Sequence, residues 1–202
     1  MKKKRSRRDL LTMWTELFRD VGDSLREAHM PDPNRMLRPP GALFPDAAFL
    51  QACTGCGECA PACPMGSILM VEIDAGSRLP AIAPSSRPCY LCPDLPCIAS
   101  CPTGALTVLT GPSAVRMGVA KVDIKRCVTF RGEACTLCFK ACPFPGEAIV
   151  LAGGRPVVSS SHCTGCGLCE YACPEMPKAI LVVPERDLVP KIRIPKDEYL
   201  AG

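Results

Sequence analysis

Histidine is almost absent from this chain: His29 and His162 are the only two among 202 residues. Aromatic residues are nearly as scarce, with one tryptophan, three tyrosines and six phenylalanines. That scarcity excludes an ordinary enzyme built on a large aromatic-rich core. No apolar run approaches the ~18 residues needed for a membrane-crossing helix. There is no P-loop, no H-E-x-x-H and no Ser/His/Asp set in a supporting context, so nothing points to catalysis by side chains. Cationic charge is missing from the body as well. The formal charge is +4, but six cations lie at positions 2–8, where there is no acid. The remainder holds 18 basic against 20 acidic residues. That is a local basic tail, not a nucleic-acid-binding surface.

Cysteine, proline and glycine are abundant instead, at 16, 22 and 16 residues. Prolines and glycines cut the chain into short pieces and disfavour a helical bundle. A large, even cysteine count has three usual sources: disulfides, structural zinc or iron–sulfur clusters. Disulfides go with secretion, and the opening Met1-Lys2-Lys3-Lys4-Arg5-Ser6-Arg7-Arg8 leads into a segment too charged for a cleavable apolar signal. Metal is favoured.

The cysteines form four groups of four. They are Cys53, Cys56, Cys59 and Cys63; Cys89, Cys92, Cys97 and Cys101; Cys127, Cys135, Cys138 and Cys142; and Cys163, Cys166, Cys169 and Cys173. Each fourth cysteine is followed by proline, and the groups recur every 36 to 38 residues, the mark of an internal repeat. After each Cys-Pro comes a turn and an apolar run: 67–71, 105–109, 148–151 and 179–183. Further runs at 119–124 and 157–158 precede groups three and four. The repeat therefore predicts strand, cysteine loop, one helical turn, strand.

A Cys-x2-Cys-x2-Cys loop lets three thiolates grip three irons of one [4Fe–4S] cubane from a single curled segment. Gly55, Gly57, Gly165 and Gly167 suit the close backbone approach this needs. In two-cluster ferredoxins the fourth cysteine ligates the other cluster, so repeats fold in pairs. Zinc sites use two Cys-x2-Cys knuckles or add histidine, and lack the third cysteine found here. The expectation is four [4Fe–4S] clusters held by all sixteen cysteines. The third group departs from the pattern through its insertion at 128–134, which raises the prospect of a different or more labile ligand set; repeat alignment keeps Cys127 as a ligand. Gly55-Cys56-Gly57-Glu58-Cys59-Ala60 fits a dinucleotide fingerprint, but without a strand–glycine–helix unit it is coincidence. His162 reads as an exposed neighbour of Cys163 and not as a ligand. With four clusters bound, the whole protein carries about −4 and its body about −10, since each cubane with its thiolates contributes about −2. Such a body docks on basic surfaces.

The expected fold class is α+β: two bacterial-ferredoxin-like 2[4Fe–4S] modules of short strands and helical turns, plus an N-terminal amphipathic helix. Residues 1–40 form a basic tail, that helix and a Pro-rich linker; residues 41–188 form the four-cluster domain; residues 189–202 form a tail. The helix is read from Leu10, Trp14, Leu17, Phe18, Val21, Leu25 and Ala28, one continuous apolar face. It packs on its own domain or docks residues 1–30 on a membrane surface or partner.

The chain resembles the ferredoxin-type electron-transfer proteins of the periplasmic nitrate reductase and methylamine-utilisation systems, the NapG/MauM family. The resemblance rests on Leu37-Arg38-Pro39-Pro40-Gly41-Ala42, on Pro88-Cys89-Tyr90-Leu91-Cys92-Pro93-Asp94-Leu95-Pro96-Cys97, on Ala114-Val115-Arg116-Met117-Gly118-Val119-Ala120 and on Cys127-Val128-Thr129-Phe130-Arg131-Gly132. It spans about residues 37–185. It implies four clusters passing electrons from a membrane quinol-oxidising partner to a terminal reductase or cytochrome. The second group is also similar to iron–sulfur subunits of molybdopterin oxidoreductases. By that analogy the first repeat pairs with the fourth and the second with the third; sequential pairing competes with it. An electron-transfer subunit of a larger oxidoreductase is thus the alternative function, and a zinc-stapled interaction module a third. Ser6-Arg7-Arg8-Asp9-Leu10-Leu11 is similar to the start of a twin-arginine export signal, but seven charged residues occupy 9–28, where an apolar stretch belongs. The expected location is cytoplasmic, with membrane association, against a periplasmic alternative.

Overall fold

The computed structural model describes residues 33–73, 76–185 and 192–193, all within the unit Asp32–Gly202. The expected amphipathic helix over 10–28, the basic tail and most of 189–202 lie outside the described residues.

Two halves follow one another along the chain. The first opens with a 3-10 turn, Pro33–Arg35, and a strap over residues 36–42. Leu37 exchanges both backbone hydrogen bonds with Ile82, at 2.8 and 2.9 Å, which zips the strap to the sheet. Helix α1 (Asp46–Ala52) is too short to persist alone. It is held by burying Phe49 completely and by a buried ion pair, Arg38 Nε to Asp46 Oδ1 at 3.1 Å. The Arg38 guanidinium also lies 5.0 Å from the Phe49 ring centre. The first cysteine loop leads into a hairpin of β1 (Ile68–Ile73) and β2 (Arg78–Ile82), and the second into helix α2 (Pro96–Ala99).

The second half opens with β3 (Gly118–Val122), continues through the third loop to helix α3 (Leu137–Ala141), and forms a hairpin of β4 (Ile149–Ala152) and β5 (Arg155–Val158). Gly153 and Gly154, both with positive φ, make its two-residue turn. The fourth loop leads to helix α4 (Leu168–Tyr171) and then β6 (Ile180–Pro184), which returns antiparallel to β3. A short β7 (Ile192–Arg193) joins the free edge of β1, giving the order β2-β1-β7.

The runs at 67–71, 148–151, 179–183, 119–124 and 157–158 become strands as expected. The run at 105–109 does not. It makes only a bridge, Ala42 to Leu106, with the Thr107 N–H donating to the Gly41 carbonyl at 2.7 Å. Leu106 is buried while Val108 is 90% exposed, so one apolar contact is satisfied and no second strand lies alongside.

Glu170 is the one fully buried carboxylate among the described residues. Arg35 Nη2 donates to its Oε1 and the Val182 N–H to its Oε2, each at 2.6 Å. The charge is therefore paired and bonded, which is the condition for burying it without large cost. It ties the start of the strap to α4 and β6.

Candidate iron–sulfur sites

All sixteen cysteines lie among the described residues, and all are free thiols. Seven are buried and join the apolar core, which explains how so few aromatics suffice: the interior is organised around sulfur. Backbone close approach delivers them. A Cβ on Gly165 would fall 2.4 Å from the Gly118 backbone nitrogen, and one on Gly55 would fall 2.4 Å from the Arg78 carbonyl oxygen. Both have positive φ, so glycine is required twice over, for dihedral and for room.

The thiols gather into four sets, each with three sulfurs from one group and a fourth from its neighbour. Cys53, Cys56, Cys59 and Cys101 line one cavity, Cys89, Cys92, Cys97 and Cys63 a second, and Cys127, Cys135, Cys138 and Cys173 a third. Cys163, Cys166 and Cys169 form the last set with Cys142, whose charge repels that of each where both ionise. The first repeat is thus interlocked with the second and the third with the fourth. Sequential pairing is the observed topology, and the one-with-four, two-with-three arrangement inferred from molybdopterin oxidoreductase subunits is corrected. The reason is the inter-repeat connection. The β1–β2 hairpin carries the chain from Cys63 straight to Cys89 within one half, and the β4–β5 hairpin does the same from Cys142 to Cys163. The insertion at 128–134 does not displace Cys127, because it folds into a 3-10 turn, Val128–Arg131, beside the set.

The sets also form a series. Cys59 of the first is close enough to Cys97 of the second for their charges to interact. Cys89 of the second stands in the same relation to Cys166 of the fourth, and Cys169 of the fourth to Cys138 of the third. Where the halves meet, the Cys89 N–H donates to the Cys166 carbonyl at 2.8 Å, and Gly167 lies flush against Pro84. The spatial order is first, second, fourth, third.

Burial sets the chemistry of the bare thiols. Desolvation, reinforced by neighbouring sulfurs, pushes Cys59 and Cys89 up to about 12 and Cys97 and Cys138 to about 11. Cys169 is raised by the same causes. At Cys101 burial also pushes upward, but the Leu106 N–H and the hydroxyl and N–H of Thr103 outweigh it and lower the value. Buried thiolates so close together need a cationic core among them. Each set offers four cysteine sulfurs, the donor number and type by which a [4Fe–4S] cubane is held.

Several donors to sulfur escape a reading of cysteine spacing. The Thr129 hydroxyl lies 3.2 Å from Cys127 Sγ, and the Thr103 hydroxyl 3.8 Å from Cys101 Sγ. Both follow Cys-x-Thr, a signal visible in the sequence. The N–H groups of Ser67 and Ala120 donate to Cys63 and Cys163, each at 3.4 Å, and no side chain announces them. His162 is exposed, with Nδ1 3.0 Å from the Ser159 hydroxyl.

Interlocked sulfur sets in two successive halves define a double dicluster ferredoxin. Two families described as 4Fe-4S dicluster domains match residues 52–105 and 122–174. The methylamine utilization ferredoxin-type protein MauM of Paracoccus denitrificans is 43% identical over 166 residues, covering 76% of this chain and 73% of the relative. The ferredoxin-type protein NapG of Escherichia coli is 38% identical over 163 residues, covering 73% and 70%. A polyferredoxin-like subunit of an aliphatic sulfonate oxidoreductase from Pyrococcus furiosus is 30% identical over 125 residues, covering 57% and 61%. No solved structure matches significantly. The chain belongs to the ferredoxin-type family of MauM and NapG, and is an electron-transfer protein carrying four [4Fe–4S] clusters in two dicluster domains.

Proposed function

We propose that all sixteen cysteines are the cluster ligands, in the four sets above, and that electrons traverse the clusters in the spatial order first, second, fourth, third. The observation that carries this reading is the Cys89–Cys166 junction, which brings one interior set of each half together. The clusters supply one-electron redox chemistry at potentials tuned by hydrogen bonds, charge and solvent access. The chain supplies spacing and insulation. The terminal sets, with Cys56 exposed in the first and Cys127, Cys135 and Cys138 half-buried in the third, are the points of entry and exit.

The electron-carrying part is residues 41–188, joined by the strap from Arg35 to Pro40 that Leu37 zips to Ile82 and by β7 on the edge of β1; the remainder of 1–40 and 189–202 flanks it. Its partners are redox proteins: a membrane quinol-oxidising donor and a terminal reductase or cytochrome. Residues 1–30 dock on a membrane or partner, and the location is cytoplasmic, supported by the charged residues over 9–28. Among the described residues no helix is long and apolar enough to cross a membrane. Cell fractionation tests the location: recovery from the periplasm contradicts it.

Paired substitutions test the ligand sets. Cys56→Ser and Cys101→Ser are expected to alter the same EPR signal of the dithionite-reduced holoprotein, and Cys135→Ser and Cys173→Ser another. A signal shared by Cys56→Ser and Cys173→Ser, with Cys101→Ser acting elsewhere, contradicts the assignment.

A further inference from the structure

We infer that the surface over the third thiol set is a docking face for an acidic redox protein. The inference rests on the electron path above, which makes that set a terminus.

Three observations converge on this face. The first is charge. Lys125, Arg126, Arg131, Lys140 and Arg155 are all exposed around the third group. Arg126 is paired with Asp123, and Arg131 with Glu133 and Glu175. No carboxylate pairs with Lys125, Lys140 or Arg155 among the described residues. Arg155 rests 5.2 Å from the Phe130 ring centre, held at the face by the insertion itself.

The second is an apolar centre. Leu137 lines the cavity of this set and is 45% exposed, so an apolar side chain over the thiols reaches solvent. Val157 and Met176, each next in sequence to a lining residue (Pro156 and Glu175), are exposed. Apolar contact over a redox centre, with exposed cations outnumbering the carboxylates around it, suits a brief and steered encounter.

The third is the contrast with the opposite terminus. Between Cys53 and Cys63 the only charged side chain is Glu58, and it is exposed beside the exposed Cys56. The first loop thus contributes one acid, with the exposed Arg78 packed beside it at Gly55, whereas the third face carries five cations against the three carboxylates paired there. The cation excess at the third face acts on encounter rates more than on final affinity.

The test uses anaerobic holoprotein in stopped flow, with flavodoxin hydroquinone as an acidic one-electron donor. Each productive encounter leaves the flavin as semiquinone and reduces one iron–sulfur centre by one electron. Methyl viologen radical, a small cation, is the control donor. The flavodoxin rate constant is expected to fall with rising salt, and to fall roughly ten-fold in Lys125→Glu/Lys140→Glu/Arg155→Glu with iron content unchanged. The viologen rate is expected to hold or rise. A flavodoxin rate untouched by the triple change overturns the docking face, as does an equal drop with both donors. Salt-sensitive capture by phosphatidylglycerol vesicles, without salt sensitivity toward flavodoxin, places a membrane there and also overturns it. If wild-type holoprotein takes no electron from viologen, the electron-path reading itself has failed. Should the triple variant lose iron, Lys140→Gln and the wild-type salt dependence decide the matter.

Discussion

Thr129 shows how a single residue adjusts this protein. Its hydroxyl, 3.2 Å from Cys127 Sγ and buried, is positioned to donate to a thiolate and stabilise the more negative, reduced state of the cluster there. Thr129→Val is expected to lower the potential of that one centre, read by EPR-monitored redox titration; four unchanged potentials contradict the role. The thiols themselves make a second expectation. Values raised to about 11 or 12 mean that Cys59, Cys89, Cys97 and Cys138 are protonated in the metal-free chain at neutral pH. Reconstitution must release those protons, so it is expected to accelerate from about pH 7 to 9 with measurable acidification. A pH-independent rate without proton release contradicts it. The linkage has a definite sign. The fold favours the neutral thiol, so its contribution to metal-free stability is present below about pH 9 and is lost as pH rises toward 12.

Loops and short elements are held by backbone contact more than by propensity. Gly165→Ala drives a Cβ into Gly118 at a positive φ and is expected to cost about 1–3 kcal/mol. Gly104→Ala, also at positive φ but facing open space, is expected to cost about 1 kcal/mol. Asp46→Ala leaves Arg38 buried without its carboxylate and is expected to cost about 3 kcal/mol or more. The half-life of visible absorbance in denaturant ranks the three; equal half-lives for the two glycine variants contradict the packing argument. The strands at 67–71 and 179–183 were legible because unbroken apolar runs between turn residues have few other uses. Strand β2 was not, because Arg78-Leu79-Pro80-Ala81-Ile82 lacks alternation and carries a proline, tolerated here only because β2 is a sheet edge. The glycines of the first and fourth loops were legible by type, but only the fold reveals that Gly57 has room to spare where Gly55 has none.

At the scale of the whole molecule, the cysteine spacing showed that repeats interlock, but not which ones. Every group ends in the same x3-Cys-Pro, so any pairing satisfies the local chemistry, and the choice is made by hairpins joining consecutive groups. The contact of Cys89 with Cys166 was likewise invisible, since it joins residues of the second and fourth repeats. It brings one interior thiol set of each half together, the basis of the proposed series of four centres. The most direct measurement of this account is an anaerobic EPR-monitored redox titration of the holoprotein, with iron and acid-labile sulfide determined on the same sample. The account predicts about 16 iron and equal sulfide per chain and four one-electron centres, with magnetic coupling that extends across both halves. Zinc in place of iron, or two magnetically isolated pairs, would contradict it.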